Sequence, residues 1–307
     1  MEDLQVALLR ELEPAVEANV NRHLAMAQPW QPHDYIPWSV GRDFAFLGGE
    51  DWVPEDSPLN PVAKAALVVN LLSEDNLPSY HREIATQFGR DGAWGSWVGQ
   101  WTAEEGRHGI ALRDYLVVTR GVDPVKLEDM RMQHVIAGYD SGNKTALEVL
   151  AYTSLQELAT RISHRNAGRV SNCPVADRLL ARIAADENLH MVFYRNLTAA
   201  ALEIAPDAAM AAIRDEVIGF TMPGATMPEF RENAVVIAKA GIYDRRIHHD
   251  HVVQPLLRFW RVFDRSDLGP EGEQARDDVA RFVAALDEVA KRDEEKAAAR
   301  ANTPAYA

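Results

Sequence analysis

Two copies of Glu-x-x-His, Glu105 to His108 and Glu187 to His190, stand 82 residues apart in this 307-residue chain. Each has a lone carboxylate upstream at nearly the same distance: Glu74 lies 31 residues before Glu105, and Glu157 lies 30 before Glu187. Residues three apart on a helix share one face, so each pair presents a carboxylate and an imidazole in the same direction. One such pair is an ordinary surface ion pair. The set in duplicate, each with its upstream glutamate, is the ligand inventory of a carboxylate-bridged dimetal site inside a four-helix bundle. It constrains the chain to an all-α, ferritin-like four-helix bundle with additional peripheral helices.

The apolar period agrees. Trp94, Val98, Trp101, Glu105, His108, Leu112 and Tyr115 follow the three-four spacing of a buried helix face, as do Ile183, Glu187, His190, Tyr194 and Leu197. Glu74 has Leu67, Leu71 and Leu77 beside it. A carboxylate buried without compensation costs on the order of several kcal/mol, which a metal dication is able to offset. Four carboxylates and two imidazoles suit a hard or borderline redox metal better than zinc, and two iron ions (Fe2+/Fe3+) per chain are expected.

Along the chain the pattern predicts a helix over residues 2–27, then an aromatic-rich ordered loop to residue 61. Bundle helices are predicted over 61–88, then, after a break at Gly89 and Gly92, on to Thr119, and over 144–169 and 175–203, with a connecting helix over 124–137. A helix from Pro206 should stop before the turn at 222–228, and peripheral helices are expected over 229–240, 244–262 and 272–293. One domain should span residues 1–290, with a disordered tail over 291–307. His248, His249 and His251 do not all share a helix face, and are read as surface residues.

Composition removes other classes. Lys and Arg number 32 against 46 Asp and Glu, a formal charge of −14, without a basic stripe, so no nucleic-acid partner is expected. No apolar run approaches the roughly 18 residues of a membrane span. Cys173 is the only cysteine, and residues 1–20 hold five acids and no apolar centre, so a cytoplasmic protein is expected.

Five segments carry a resemblance, in order and spacing: Trp30-Gln31-Pro32-His33-Asp34-Tyr35-Ile36-Pro37, Glu74-Asp75-Asn76-Leu77-Pro78-Ser79-Tyr80, the Glu105 and Glu187 motifs, and Gln156-Glu157-Leu158-Ala159-Thr160. Together they resemble the soluble acyl-acyl carrier protein desaturases of plant plastids and actinobacteria, most nearly the mycobacterial branch, and the likeness extends less clearly to about residue 265. The resemblance implies an O2-dependent desaturase of fatty acid biosynthesis. It makes Glu105 and Glu187 bridging metal ligands, and Glu74, His108, Glu157 and His190 terminal ones. It also implies an acyl carrier protein-bound fatty acyl substrate, a ferredoxin-type electron donor and a homodimer. Trp30 and Asp186 match an electron path toward His108. Thr160 matches a threonine beside the oxygen-binding face, the alternative being a helix threonine bonded to its own backbone. Leu189 departs from the family's arginine, whereas Arg107 keeps its place.

Two other readings use the same cradle. A ribonucleotide reductase-like radical subunit usually has tyrosine four residues beyond the first ligand histidine, where this chain has Leu112. A ferritin-like iron store would not need the helices after residue 204. Because carrier proteins are acidic, Arg22, Arg42 and Lys64 are expected to offset like-charge repulsion at the substrate mouth.

Overall fold

The computed structural model describes residues 2–222, 224 and 227–301. The long helices begin where local chemistry supplies caps. Asn60 accepts from the amide of Ala63 and Pro61 takes the first position of α2 (Pro61–Asp75). Thr145 and Glu148 form a reciprocal capping box at the start of α6 (Ala146–Val170). Asp123 caps α5 (Pro124–Ala137), and Pro174 opens α7 (Pro174–Ile204). The first helix, α1 (Glu2–Met26), runs through Pro14.

Residues 61–88 do not form the single predicted helix. The chain breaks at Asn76 into α2 and α3 (Leu77–Phe88), immediately after Glu74. Pro78 is the reason: it has no N–H for the carbonyl four residues back, and it disfavours helical geometry at Leu77. The predicted 244–262 helix is likewise interrupted. Arg245–Ile247 (α10) passes into a π-helical turn, His248–Val253, before α11 (Gln254–Phe259). Pro255 cannot bond the His251 carbonyl, and the Gln254 amide reaches back five residues to His249 instead.

Antiparallel α6 and α7 form the most extensive packing in the molecule; α2 with α3 and α4 (Gly92–Val118) form the facing pair, and α1 lies across α4 and α7. Outside stand α8 (Pro206–Gly219), α9 (Phe230–Lys239) and α12 (Pro270–Ala301). The expected tail is helical instead, from Lys291 to Ala301. Val279, Val283 and Ala290 are buried on α12, and Arg245 and Arg246 pair with Asp293, Asp287 and Glu294. Residues 302–307, and Pro223, Ala225 and Thr226 of the predicted turn, lie outside the described residues. Among the described residues no helix is long and apolar enough to cross a membrane.

The apolar core is divided. One cluster takes Trp94 to Trp101 of α4 and Met191 to Leu202 of α7, together with α1; the other takes Ala111 to Leu116 of α4 and Leu179 to Ile183 of α7, together with α2. Between them, on both helices, lies a layer of buried acids and histidines. The apolar faces therefore seal a polar layer from both ends of the bundle.

Candidate metal centre

That layer contains all six sequence-predicted ligands, on four different helices, and each of them is buried. Two groups of donor atoms converge. Glu74, Glu105, His108 and Glu187 offer ligand atoms within 4.8 Å of one another, and so do Glu105, Glu157, Glu187 and His190. Glu105 and Glu187 belong to both.

The orientation of these atoms argues for a metal more than their proximity does. The Nδ1 of His190 lies 2.8 Å from Glu105 Oε1, and the Nδ1 of His108 lies 3.2 Å from Glu187 Oε1. Yet both Nδ1 atoms, Glu105 Oε1, Glu157 Oε2 and both oxygens of Glu187 are buried without a hydrogen bond of normal geometry. Their lone pairs face common points instead of each other. Orphaned buried polar atoms in a native fold call for an explanation, and an ion at the shared focus supplies it. The residues present fit a pair of cations.

Each imidazole is anchored from behind. Asp186 accepts from His108 Nε2 at 3.3 Å, and Glu104 accepts from His190 Nε2 at 2.8 Å. A carboxylate only accepts, so Nε2 of each ring carries a proton and Nδ1 is the nitrogen turned toward the cradle. Asp186 is bonded in turn to Trp30 Nε1 at 2.7 Å, to Arg107 at 2.9 Å and to Arg182. Glu104 is bonded to His23 at 3.0 Å and to the Gln100 amide at 2.6 Å. The terminal carboxylates are held too: His164 Nε2 donates to Glu74 Oε1 at 3.0 Å, and Trp101 Nε1 donates to Glu157 Oε1 at 3.1 Å.

Without cations the cradle is electrostatically frustrated. Burial and the charges of Glu105, Glu157 and Glu74 push the Glu187 carboxyl well above its ordinary range. Burial opposes charge on His108 and His190, but the surrounding carboxylates outweigh it and hold both rings protonated well above the usual imidazole value. For Glu105 burial is the largest influence and acts upward, yet contact with His108 and His190 reverses it and the net direction is down. Asp186, also opposed by burial, is drawn down to about 2 by His108, Trp30 and Arg182.

Of the other residues that the resemblance implied, Trp30 is bonded to Asp186 and Asp186 to His108. Thr160 is buried, its hydroxyl donates to the Gln156 carbonyl at 2.9 Å in the manner of a helix threonine, and it lines a cavity. That cavity opens to solvent, and Glu74, Glu105, Tyr80, Trp101 and Lys144 are among the residues that line it. Arg22, Arg42 and Lys64 do not gather there. Arg42 pairs with Asp56, Lys64 lines a groove beside α5, and Arg22 faces Arg195.

Sequence reading missed Glu104, His23 and His164. Glu104 was legible, because it precedes Glu105 as Asp186 precedes Glu187, at the same offset of 82 residues. His164 follows Glu157 by two turns on one face. His23 continues the Leu12, Val16, Val20 stripe, which buries it and leaves Leu24 half exposed.

Known proteins resemble this chain along most of its length. The model of a family described as fatty acid desaturase matches residues 4–306. DesA1 of Mycobacterium tuberculosis, named as an acyl-[acyl-carrier-protein] desaturase, is 55% identical over 293 residues, covering 93% of this chain and 86% of its own length. The chloroplastic stearoyl-[acyl-carrier-protein] 9-desaturase 6 of Arabidopsis thaliana is 32% identical over 297 residues, covering 89% and 74%. The crystal structure of DesA2 from M. tuberculosis superposes with a TM-score of 0.73 at 35% identity, covering 88% of this chain and 99% of that one.

Proposed function

The chain belongs to the fatty acid desaturase family, and on that premise we propose that it is an O2-dependent di-iron oxidoreductase that introduces a double bond into the acyl chain of acyl-acyl carrier protein, in fatty acid biosynthesis. The observation that carries the reading is the pair of four-residue ligand groups sharing Glu105 and Glu187, with the apolar-walled cavity beginning at Glu74 and Glu105. In this reading Glu105 and Glu187, common to both groups, would be shared between two irons, with Glu74 and His108 completing one site and Glu157 and His190 the other. Four carboxylates then balance the charge of two ferrous ions. When bound and reduced, the iron pair supplies the dioxygen chemistry that removes two hydrogens from adjacent methylenes; with two electrons and two protons from the donor, O2 leaves as two waters.

The protein's own residues bind, orient and exclude water. Asp186 and Glu104 hold the two imidazoles in the tautomer that faces the metals, and His164 and Trp101 fix the terminal carboxylates. Trp30, its indole bonded to Asp186, offers a short route for electrons from a ferredoxin-type donor to the His108 side. Thr160 lies along the cavity, placed to orient the reacting part of the chain. A homodimer acting in the cytoplasm completes the proposal.

The test is incubation of reduced, iron-loaded protein with acyl carrier proteins bearing chains of different length, beside the free acids, followed by mass analysis of the released acyl groups. Loss of two mass units from a carrier-bound chain is expected. Oxygen consumption without any desaturated product, or equal activity on free acid, would overturn the substrate assignment.

A further inference from the structure

Four residues beyond His108 stands Leu112, which argues against a radical-bearing tyrosine on that side. Four residues beyond His190 stands Tyr194. It is fully buried, and its hydroxyl has no hydrogen-bond partner among the described residues. Its ring packs edge-on to Trp97 at 5.7 Å, and Trp97 lies 6.0 Å from the ring of His190. The Trp97 indole N–H is buried and unpartnered as well. Two unsatisfied donors in one dry aromatic cluster are costly, on the order of 1–3 kcal/mol each, so packing alone is a poor reason for a phenol here when phenylalanine would fill the same space.

On α7 the phenol stands one turn beyond His190, on the same helix face. Burial pushes it well above its ordinary value of 10.0, and the charges of Glu157 and Glu105 push it further, while Trp97 approaches near enough to ease it slightly downward, short of a normal hydrogen bond. It is therefore a neutral, oxidisable group beside the metal ligands. It does not line the acyl cavity, unlike Tyr80, which does.

We propose that Tyr194 is an internal one-electron reductant that discharges the metal pair when dioxygen has oxidised it and no acyl chain occupies the cavity. The inference rests on the oxygen-activating reading above. The phenolic O–H bond breaks; one electron passes to the oxidised metal pair and the proton joins the oxygen that is being reduced to water. A neutral tyrosyl radical remains, and a further electron and proton from the enzyme's external donor restore the phenol. The oxidising equivalent is thereby held on the side away from the substrate, spared from attacking the glutamate and histidine ligands.

Reduced, iron-loaded protein is mixed with oxygenated buffer without acyl substrate, frozen at intervals and examined by electron paramagnetic resonance. A transient organic radical is expected in wild type and in Tyr80→Phe, and its loss in Tyr194→Phe. The Tyr194→Phe protein should keep its iron and its single-turnover desaturation, yet inactivate several-fold faster under repeated substrate-free oxygen exposure. No radical in wild type, or the same radical in Tyr194→Phe, overturns the proposal. If Tyr194→Phe fails to hold iron, wild type containing ring-deuterated tyrosine still decides: a spectrum that does not narrow is not a tyrosyl radical and overturns it. Failure of the underlying reading looks different, because the wild type would then neither bind iron nor consume oxygen.

Discussion

Around His108 the supporting carboxylate, Asp186, is held by two guanidinium groups and an indole; around His190 its counterpart, Glu104, is held by an imidazole and an amide. The metal-facing ligands of the two halves are the same, so the difference lies wholly in what stands behind them. Asp186 shares its charge with two permanent cations and accepts from His108 at 3.3 Å; Glu104 has none and accepts from His190 at 2.8 Å. A carboxylate less neutralised by its neighbours is the stronger acceptor and makes its imidazole the better donor to metal. Leu189 stands where an arginine would have evened the two sides. The duplicated cradle thus has two inequivalent halves, with the proposed electron route on the arginine-rich side and the oxidisable tyrosine on the other.

The largest effects should ignore this asymmetry. Glu157→Ala or His190→Ala, and equally Glu74→Ala or His108→Ala, are expected to lower iron well below two per chain and to abolish desaturation; metal analysis of the purified variants checks it. Full iron retention in one half only would break the two-site comparison.

Metal removal comes next. Iron present at about 1,000 times its dissociation constant stabilises the fold by roughly 4 kcal/mol, so the iron-free protein should melt lower by on the order of 10 °C. The gap depends on pH in a stated direction. His108 and His190 have folded values raised well above 6.5, so without metal their protonation contributes stability that is fully present below pH 6.5 and lost as pH rises through the folded values. Metal takes the place of that proton. Calorimetry should therefore find the difference between iron-loaded and iron-free protein widening upward from about pH 6.5; a constant gap would count against imidazole ligation.

Changing the supports should separate the halves. Removal of such a partner typically costs about 10–100-fold in metal affinity or activity. Asp186→Asn and Trp30→Phe are expected to slow reduction of the iron pair by the donor while leaving iron content nearly intact, whereas Glu104→Gln should weaken retention of one iron with reduction less affected. Stopped-flow reduction beside iron titration distinguishes them, and identical behaviour would mean that the asymmetry has no chemical consequence. Leu189→Arg should have the smallest effect, a modest narrowing of the spectroscopic difference between the two iron sites in Mössbauer spectra.

Much of this was legible before any tertiary structure. Helix starts at Pro61, Pro124, Pro174 and Pro206 follow from proline and capping chemistry acting within a few residues, and the structure has them there. The break after Glu74 and the π turn before Pro255 were missed, although both arise from a proline inside an otherwise helical period. The hydrophobic pattern outweighed the missing N–H in the reading, while in the molecule the missing N–H won.

The sequence by itself determined the six candidate ligand positions and their sharing of buried faces, because spacings of three and four along one helix are set by backbone geometry alone. Only the tertiary structure decided that Asp186 reaches across to His108 and Glu104 to His190, that His23 arrives from α1, that His164 secures Glu74, and that the phenol of Tyr194 is buried against Trp97. Those contacts join residues far apart in the chain. They depend on how four helices rotate and cross when two apolar clusters close over a polar layer, a choice made by packing and not by any local period.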